Sequence, residues 1–98
     1  MSDEVLVSEN DGILEVTINR PEARNAMTKA AAEAIAAAMD RLDAEPSLRC
    51  AILTGAGGTF CSGMDLKGFL KGEYPVAGDR GFGGLTSWTP KKPVIAAV

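Results

Sequence analysis

The run Thr28-Lys-Ala-Ala-Ala-Glu-Ala-Ile-Ala-Ala-Ala-Met-Asp-Arg-Leu-Asp-Ala44 constrains this chain more than any other stretch. Alanine has the highest helix propensity, and Lys, Glu, Met, Arg and Leu lose little rotamer freedom in a helix. Thr28 has the hydroxyl of an N-cap, and Pro46 lacks the amide hydrogen a longer helix would need. Ala31, Ile35, Ala38, Met39 and Leu42 recur at helical spacing, while Lys29, Glu33, Asp40, Arg41 and Asp43 fall largely elsewhere. A face built of so many methyl groups lets the helix pack closely on a sheet.

Ile13-Leu-Glu-Val-Thr-Ile18 alternates, with Leu14, Val16 and Ile18 on one face and Ile13, Glu15 and Thr17 on the other. Val5-Leu-Val7 precedes it, and Asn10-Asp-Gly12 is a turn signal, so the two runs are expected to pair as a hairpin. Cys50-Ala-Ile-Leu-Thr54 is a continuous apolar run, which predicts a strand buried on both faces. Gly55-Ala-Gly-Gly58 reads as a turn, residues 60–63 as a loop or extended piece, and residues 64–70 as one or two helical turns with Asp65 near their start. Residues 71–88 hold Gly72, Gly78, Gly81, Gly83, Gly84 and Pro75, a composition that predicts a mobile surface segment with a short helix around residues 77–80. Pro93-Val-Ile-Ala-Ala-Val98 predicts another buried strand, and ending on it reads as a fragment.

Composition narrows the function. The chain has 98 residues, room for one small domain. A net charge of −3 disfavours a nucleic-acid surface. The longest apolar runs are too short for a membrane span, and the acidic start Met1-Ser-Asp-Glu4 is unlike a signal peptide, so a cytoplasmic location is expected. There is no histidine and no CxxC pair between Cys50 and Cys61, so neither a zinc site nor a Ser-His-Asp or Cys-His couple is expected. The cysteines read as reduced, space-filling thiols. No carboxylate stands out by spacing as an acid or base.

Three loops could still carry chemistry. Gly55-Ala-Gly-Gly-Thr-Phe60 follows a strand but lacks both the third Gly of a dinucleotide fingerprint and a Gly-Lys-Ser/Thr ending. A strand-to-loop turn is the better reading. Arg20-Pro-Glu-Ala-Arg-Asn-Ala26 could meet a phosphate, or could be a solvated loop closed by a salt bridge to Glu22. Phe60-Cys-Ser-Gly-Met-Asp-Leu66 places small residues, then an acidic residue, at a helix start. Free backbone amides at such a turn are natural donors to an oxygen that gains negative charge, and an ordinary loop with an N-capping Asp is the alternative.

Taken together and in order, these segments resemble the crotonase superfamily, the enoyl-CoA hydratase/isomerase family. The match rests on Val16-Thr-Ile-Asn-Arg-Pro-Glu-Ala-Arg-Asn-Ala26, the Ala-rich helix, Ala51-Ile-Leu-Thr-Gly-Ala-Gly-Gly-Thr-Phe-Cys-Ser-Gly-Met-Asp-Leu66 and Lys92-Pro-Val-Ile-Ala-Ala-Val98. The resemblance implies an α/β fold, a spiral of β-β-α units, of which residues 1–98 are the N-terminal part. It implies an acyl-CoA enzyme, foremost an enoyl-CoA hydratase that stabilises a thioester enolate in a backbone oxyanion hole. An enoyl-CoA isomerase, another crotonase-type reaction or a non-catalytic acyl-CoA binder is the alternative, and a small interaction domain with no ligand ranks below these. By resemblance the Met64 N–H is the first oxyanion donor, Ser62, Met64, Asp65 and Leu66 line the coenzyme A path, and Ala23, Arg24 and Ala26 face it from the other side. Arg24 is a candidate phosphate or ribose contact. Coenzyme A enters as part of the substrate, with no separate cofactor and no metal, and the assembly expected is a homotrimer or hexamer. The second oxyanion donor and the catalytic carboxylates are expected beyond Val98.

Overall fold

The computed structural model describes residues 4–98, so the acidic opening at residues 1–3 lies outside the described residues. Strands β1 (Val5–Asn10) and β2 (Ile13–Ile18) form the expected hairpin, with Val5 opposite Ile18 and Asn10 opposite Ile13. Asp11 and Gly12 both take positive φ, 55° and 82°. That is the geometry of a tight turn whose twist matches the strands it joins. Polar Ser8, Glu9 and Asn10 continue β1 past its apolar part, because the hairpin ladder needs their backbones rather than their side chains.

Helix α1 (Lys29–Ala44) joins β2 to β3 (Cys50–Gly55), and these two strands pair in parallel. Parallel neighbours need a long crossover, and the Ala-rich run supplies it. The Thr28 hydroxyl accepts from the Ala31 N–H at 3.0 Å, which caps the helix. Ala31, Ile35, Ala38, Met39 and Leu42 are buried, joined by Ala32 and Ala36. They meet Leu14, Val16 and Ile18 of β2 and Ala51 and Leu53 of β3, and together these form the core. The α/β class read from the sequence is the one observed.

Three expectations are corrected. First, β3 is buried on one face only: Ala51 and Leu53 lie under α1, whereas Ile52 and Thr54 are half-buried, since the helix covers a single face of the sheet. Second, β4 (Val94–Ala97) pairs in parallel with β3 at the sheet edge, and Ile95 is 53% exposed rather than buried. An edge strand has one neighbour, so apolar composition alone does not bury it. Third, residues 71–88 are not merely a surface loop. Gly83 and Gly84 are buried, and Leu85 and Trp88 pack against the core. A Cβ on Gly84 would lie 2.2 Å from the Ala32 carbonyl oxygen, so only glycine lets this backbone lie on α1. The short helical turn falls at Gly78–Arg80, as read. Among the described residues, no helix is long and apolar enough to cross a membrane.

The end of α1 is held from a distance. Lys92 Nζ donates to the carbonyls of Leu42, Glu45 and Leu48, each at 2.7 Å. One ammonium thus reaches the Leu42 carbonyl in the last turn of α1 and the Glu45 and Leu48 carbonyls just beyond it, and ties the approach to β4 onto the end of the helix. Lys92→Met keeps the stem but removes the charge and the three donors. It is expected to cost about 2–3 kcal/mol, read as a lowered urea midpoint with unchanged slope.

Candidate functional site

Two loops leave the carboxyl ends of the neighbouring parallel strands β2 and β3, so they emerge on the same side of the sheet. After β2, Pro21–Ala23 makes a single helical turn, and Arg24 and Asn25 follow in the left-handed region at φ 52° and 56°. Asn tolerates this conformation better than most residues, and its amide can replace missing backbone bonds. Asn25 is fully buried. Its Oδ1 accepts from the Arg20 N–H at 2.7 Å, and its Nδ2 donates to the carbonyls of Ala56, at 2.8 Å, and Thr59. The side chain therefore pegs the loop after β2 to the loop after β3.

Those loops then zip together. The Ser62 N–H donates to the Arg24 carbonyl at 3.1 Å, the Met27 N–H to the Gly63 carbonyl at 2.6 Å, and the Asp65 N–H to the Met27 carbonyl at 2.9 Å. Met27 and Met64 form a one-residue parallel bridge. In extended backbone, successive residues direct their N–H groups to opposite sides. Gly63 and Asp65 face Met27, so the Met64 N–H faces away from it. It makes no hydrogen bond among the described residues. Gly63, at φ 113°, turns the chain into this arrangement in a conformation that side-chain-bearing residues rarely adopt.

Asp65 then starts helix α2 (Leu66–Leu70), its Oδ2 accepting from the Gly68 N–H at 2.9 Å. Its Oδ1 lies 3.6 Å from Arg20 Nη1, which also donates to the Ala26 carbonyl at 2.6 Å. Arg20 Nε is 3.7 Å from Glu4 Oε1. The loop at residues 20–26 is therefore closed by Glu4 and Asp65, not by a bridge to Glu22, and the Arg20 charge is used internally instead of being offered to a phosphate.

Of the residues singled out in the sequence, Ala23, Ala26, Met64, Asp65 and Leu66 line one cleft, together with Arg20, Glu22 and Lys67. Ser62 stands beside it, its hydroxyl 3.5 Å from the Ala23 carbonyl. Arg24 does not line the cleft: its carbonyl holds Ser62, and its side chain is exposed at the loop surface. The glycine turn at Ala56–Gly58 belongs to the peg, accepting from Asn25, as a structural turn should. Two residues that hold this architecture, Asn25 and Arg20, carry only a weak signal in the sequence: an Asn just after a proline turn, and an arginine whose carboxylate partners, Glu4 and Asp65, lie far from it along the chain. Both cysteines are free and half-buried, and among the described residues no three His, Cys, Asp or Glu gather as a metal site.

The arrangement offers a shallow cleft with an unshared backbone donor and a small-residue wall. The Asp65 carboxylate is already engaged by Gly68 and Arg20. Such a wall can bind an extended ligand and polarise a carbonyl oxygen by hydrogen bonding.

A family model described as enoyl-CoA hydratase/isomerase matches residues 8–98. Over 98 aligned residues, a mevalonyl-coenzyme A hydratase of Beauveria bassiana is 49% identical, covering 88% of this chain and 35% of that protein. An enoyl-CoA hydratase structure from Mycobacterium marinum superposes with a TM-score of 0.93 at 56% identity, over 99% of this chain and 38% of that one. A carnitinyl-CoA hydratase structure from Mycobacterium avium gives a TM-score of 0.95 at 33% identity, over 100% of this chain and 39% of that one. The chain thus spans little more than a third of the length of these relatives.

Asn25→Ala removes the side-chain partner of the Arg20 N–H and of the Ala56 and Thr59 carbonyls, leaves a void where a fully buried amide stood, and puts alanine in the left-handed region. We expect a loss of about 3–5 kcal/mol in stability by chemical denaturation, larger than for an ordinary surface substitution.

Proposed function

The chain belongs to the enoyl-CoA hydratase/isomerase family, and on that premise we propose that residues 20–27 and 61–67 form one wall of a coenzyme A thioester site in an acyl-CoA hydratase. One observation carries the reading: the Met64 N–H is directed away from its bridge to Met27 and is unshared. Adding water across a double bond conjugated to a thioester builds negative charge on the carbonyl oxygen. A fixed backbone donor aimed at that oxygen stabilises the enolate more than the ground state, which is what accelerates the step. Such a donor needs neither histidine nor metal, in keeping with a sequence that has no histidine.

In this reading Ala23 and Ala26 form the opposite side of the coenzyme A path, where small side chains let the ligand approach the backbone, and Leu66 and the Met64 side chain supply apolar contact. Ser62 borders the same path, and Arg24, exposed beside it, is the candidate contact to a ribose or phosphate of coenzyme A. Asp65 acts as a positioning group: it caps α2 and anchors Arg20, which keeps residues 63–65 extended. Coenzyme A arrives as part of the substrate, with no separate cofactor. Hydration is favoured over isomerisation because the three relatives compared above are named as hydratases, and others as dehydratases, the reverse reaction. The family resemblance also supports assembly of the full-length protein as a cytoplasmic homotrimer or hexamer.

The test uses the full-length protein and a short-chain 2-enoyl-CoA, following loss of the conjugated thioester absorbance. Met64→Pro removes the N–H without breaking an internal hydrogen bond, and kcat is expected to fall by about 10²–10³-fold. Met64→Ala keeps the donor and is expected to retain most activity. Equal losses in both variants would show that the side chain or the fold, not the amide, matters.

A further inference from the structure

We infer that Arg20 is a positioning residue: its guanidinium clamps the two backbone strips that meet at Met27 and Met64, and so fixes the direction of the Met64 N–H. What that N–H acts on, a thioester carbonyl, rests on the function proposed above. The clamp itself rests on the structure alone.

Arg20 reaches both strips beside the bridge. Its Nη1 donates to the carbonyl of Ala26, the residue before Met27, at 2.6 Å. The same nitrogen lies 3.6 Å from Oδ1 of Asp65, the residue after Met64. One nitrogen therefore spans the bridge whose register turns the Met64 N–H outward. The base of the clamp is fixed as well. The Arg20 N–H donates to Asn25 Oδ1 at 2.7 Å, and the Arg20 carbonyl accepts from the N–H groups of Ala23, at 3.0 Å, and Asn25, at 2.8 Å.

The guanidinium is also held from behind. Its Nε lies 3.7 Å from Glu4 Oε1, and the same oxygen accepts from the Thr28 hydroxyl that caps α1. The Glu4 carbonyl accepts from the Asn19 N–H at 2.8 Å, which seats Glu4 beside the strand end that carries Arg20. Arg20 is thus one cation between two carboxylates. Its side chain is 20% exposed, and those of Glu4 and Asp65 are 23% and 18% exposed, so solvent screens the group less than an ordinary surface pair. Neutralising Arg20 would leave two carboxylates and the Ala26 carbonyl without their counter-charge, and would free Asp65 to turn toward water. Asp65 follows Met64 directly and caps α2, so its movement tilts the donor. A backbone donor aimed at a developing negative charge loses effect when it is misplaced by a fraction of an ångström. Arg20 also borders the cleft, whereas Glu4 lines a separate hollow with Thr28, Lys29 and Glu33. Glu4 therefore reports on the clamp without touching a ligand in the cleft.

The experiment compares the unmutated full-length protein with Arg20→Gln, Arg20→Lys and Glu4→Gln. The probe is butanoyl-CoA carrying an isotopic label at the thioester carbonyl, a saturated ester that binds without turnover. Infrared difference spectra read the carbonyl stretch, which falls in frequency when a donor bonds the oxygen, and calorimetry reads the affinity. Turnover of a short 2-enoyl-CoA gives kcat. Arg20→Gln is expected to lose about half or more of the frequency lowering and about tenfold in kcat, with affinity changed by less than about twofold. Glu4→Gln and Arg20→Lys are expected to shift the stretch in the same direction by less. An unchanged stretch in Arg20→Gln overturns the clamp. Affinity that falls as far as kcat, with the stretch retained, also overturns it and makes Arg20 a direct contact to the ligand. If Arg20→Gln does not fold, Glu4→Gln and Arg20→Lys are judged by the same two criteria. If the unmutated protein binds the ester without lowering the stretch, or does not bind it, the reading of the Met64 N–H falls first and the positioning role falls with it.

Discussion

A buried side-chain amide must find its hydrogen bonds inside the protein, and Asn25 finds them on two loops that are far apart in sequence. Leaving such a group unpaired costs more than the bonds themselves contribute, so the requirement acts as a geometric constraint. The loop after β2 cannot move without orphaning the carbonyls of Ala56 and Thr59, and the loop after β3 cannot move without orphaning the amide. Once the peg is in place, the bonds of Ser62, Met27 and Asp65 fall into register, and that register turns the Met64 N–H outward.

The position of this assembly follows from the sheet. β2 and β3 run parallel because a helix connects them, so both strands end on the same side and their following loops become neighbours. Ligand sites at the carboxyl ends of parallel strands are a general consequence of that topology. The methyl-rich face of α1 supports the arrangement, covering Leu14, Val16 and Leu53 closely enough to leave Gly84 in contact with the helix backbone.

Charge is used sparingly and mostly inward. Arg20 joins Glu4, Asp65 and the Ala26 carbonyl, and Lys92 joins three carbonyls at the end of α1. Arg20, in a loop that could have met a phosphate, organises backbone instead, and Lys92 does the same where α1 ends. Arg80 differs, since part of its guanidinium is covered without being satisfied. That imbalance sets the segment at residues 77–88 apart from the better-satisfied loops around Asn25.

Much of this was legible in the residues. The alternation of Leu14, Val16 and Ile18, the Asp11–Gly12 turn, the Thr28 cap and the Ala31 to Leu42 face depend on neighbours within a few positions, and local geometry determines them. The grouping of Ala23, Ala26, Met64, Asp65 and Leu66 was reached through family resemblance, whose motifs record a shared cleft that spacing alone does not reveal. The partners that Asn25 finds at Ala56 and Thr59, Arg20 at Asp65, Lys92 at the end of α1 and Arg80 at Asp40 lie tens of residues away, so no local pattern encodes them. The exposure of Ile95 depends on which strands flank it, and the burial of Gly84 on which helix it meets. The direction of the Met64 N–H was likewise decided only in the folded chain, because it comes from the register of a bridge between two loops, and register exists only once both loops are in place.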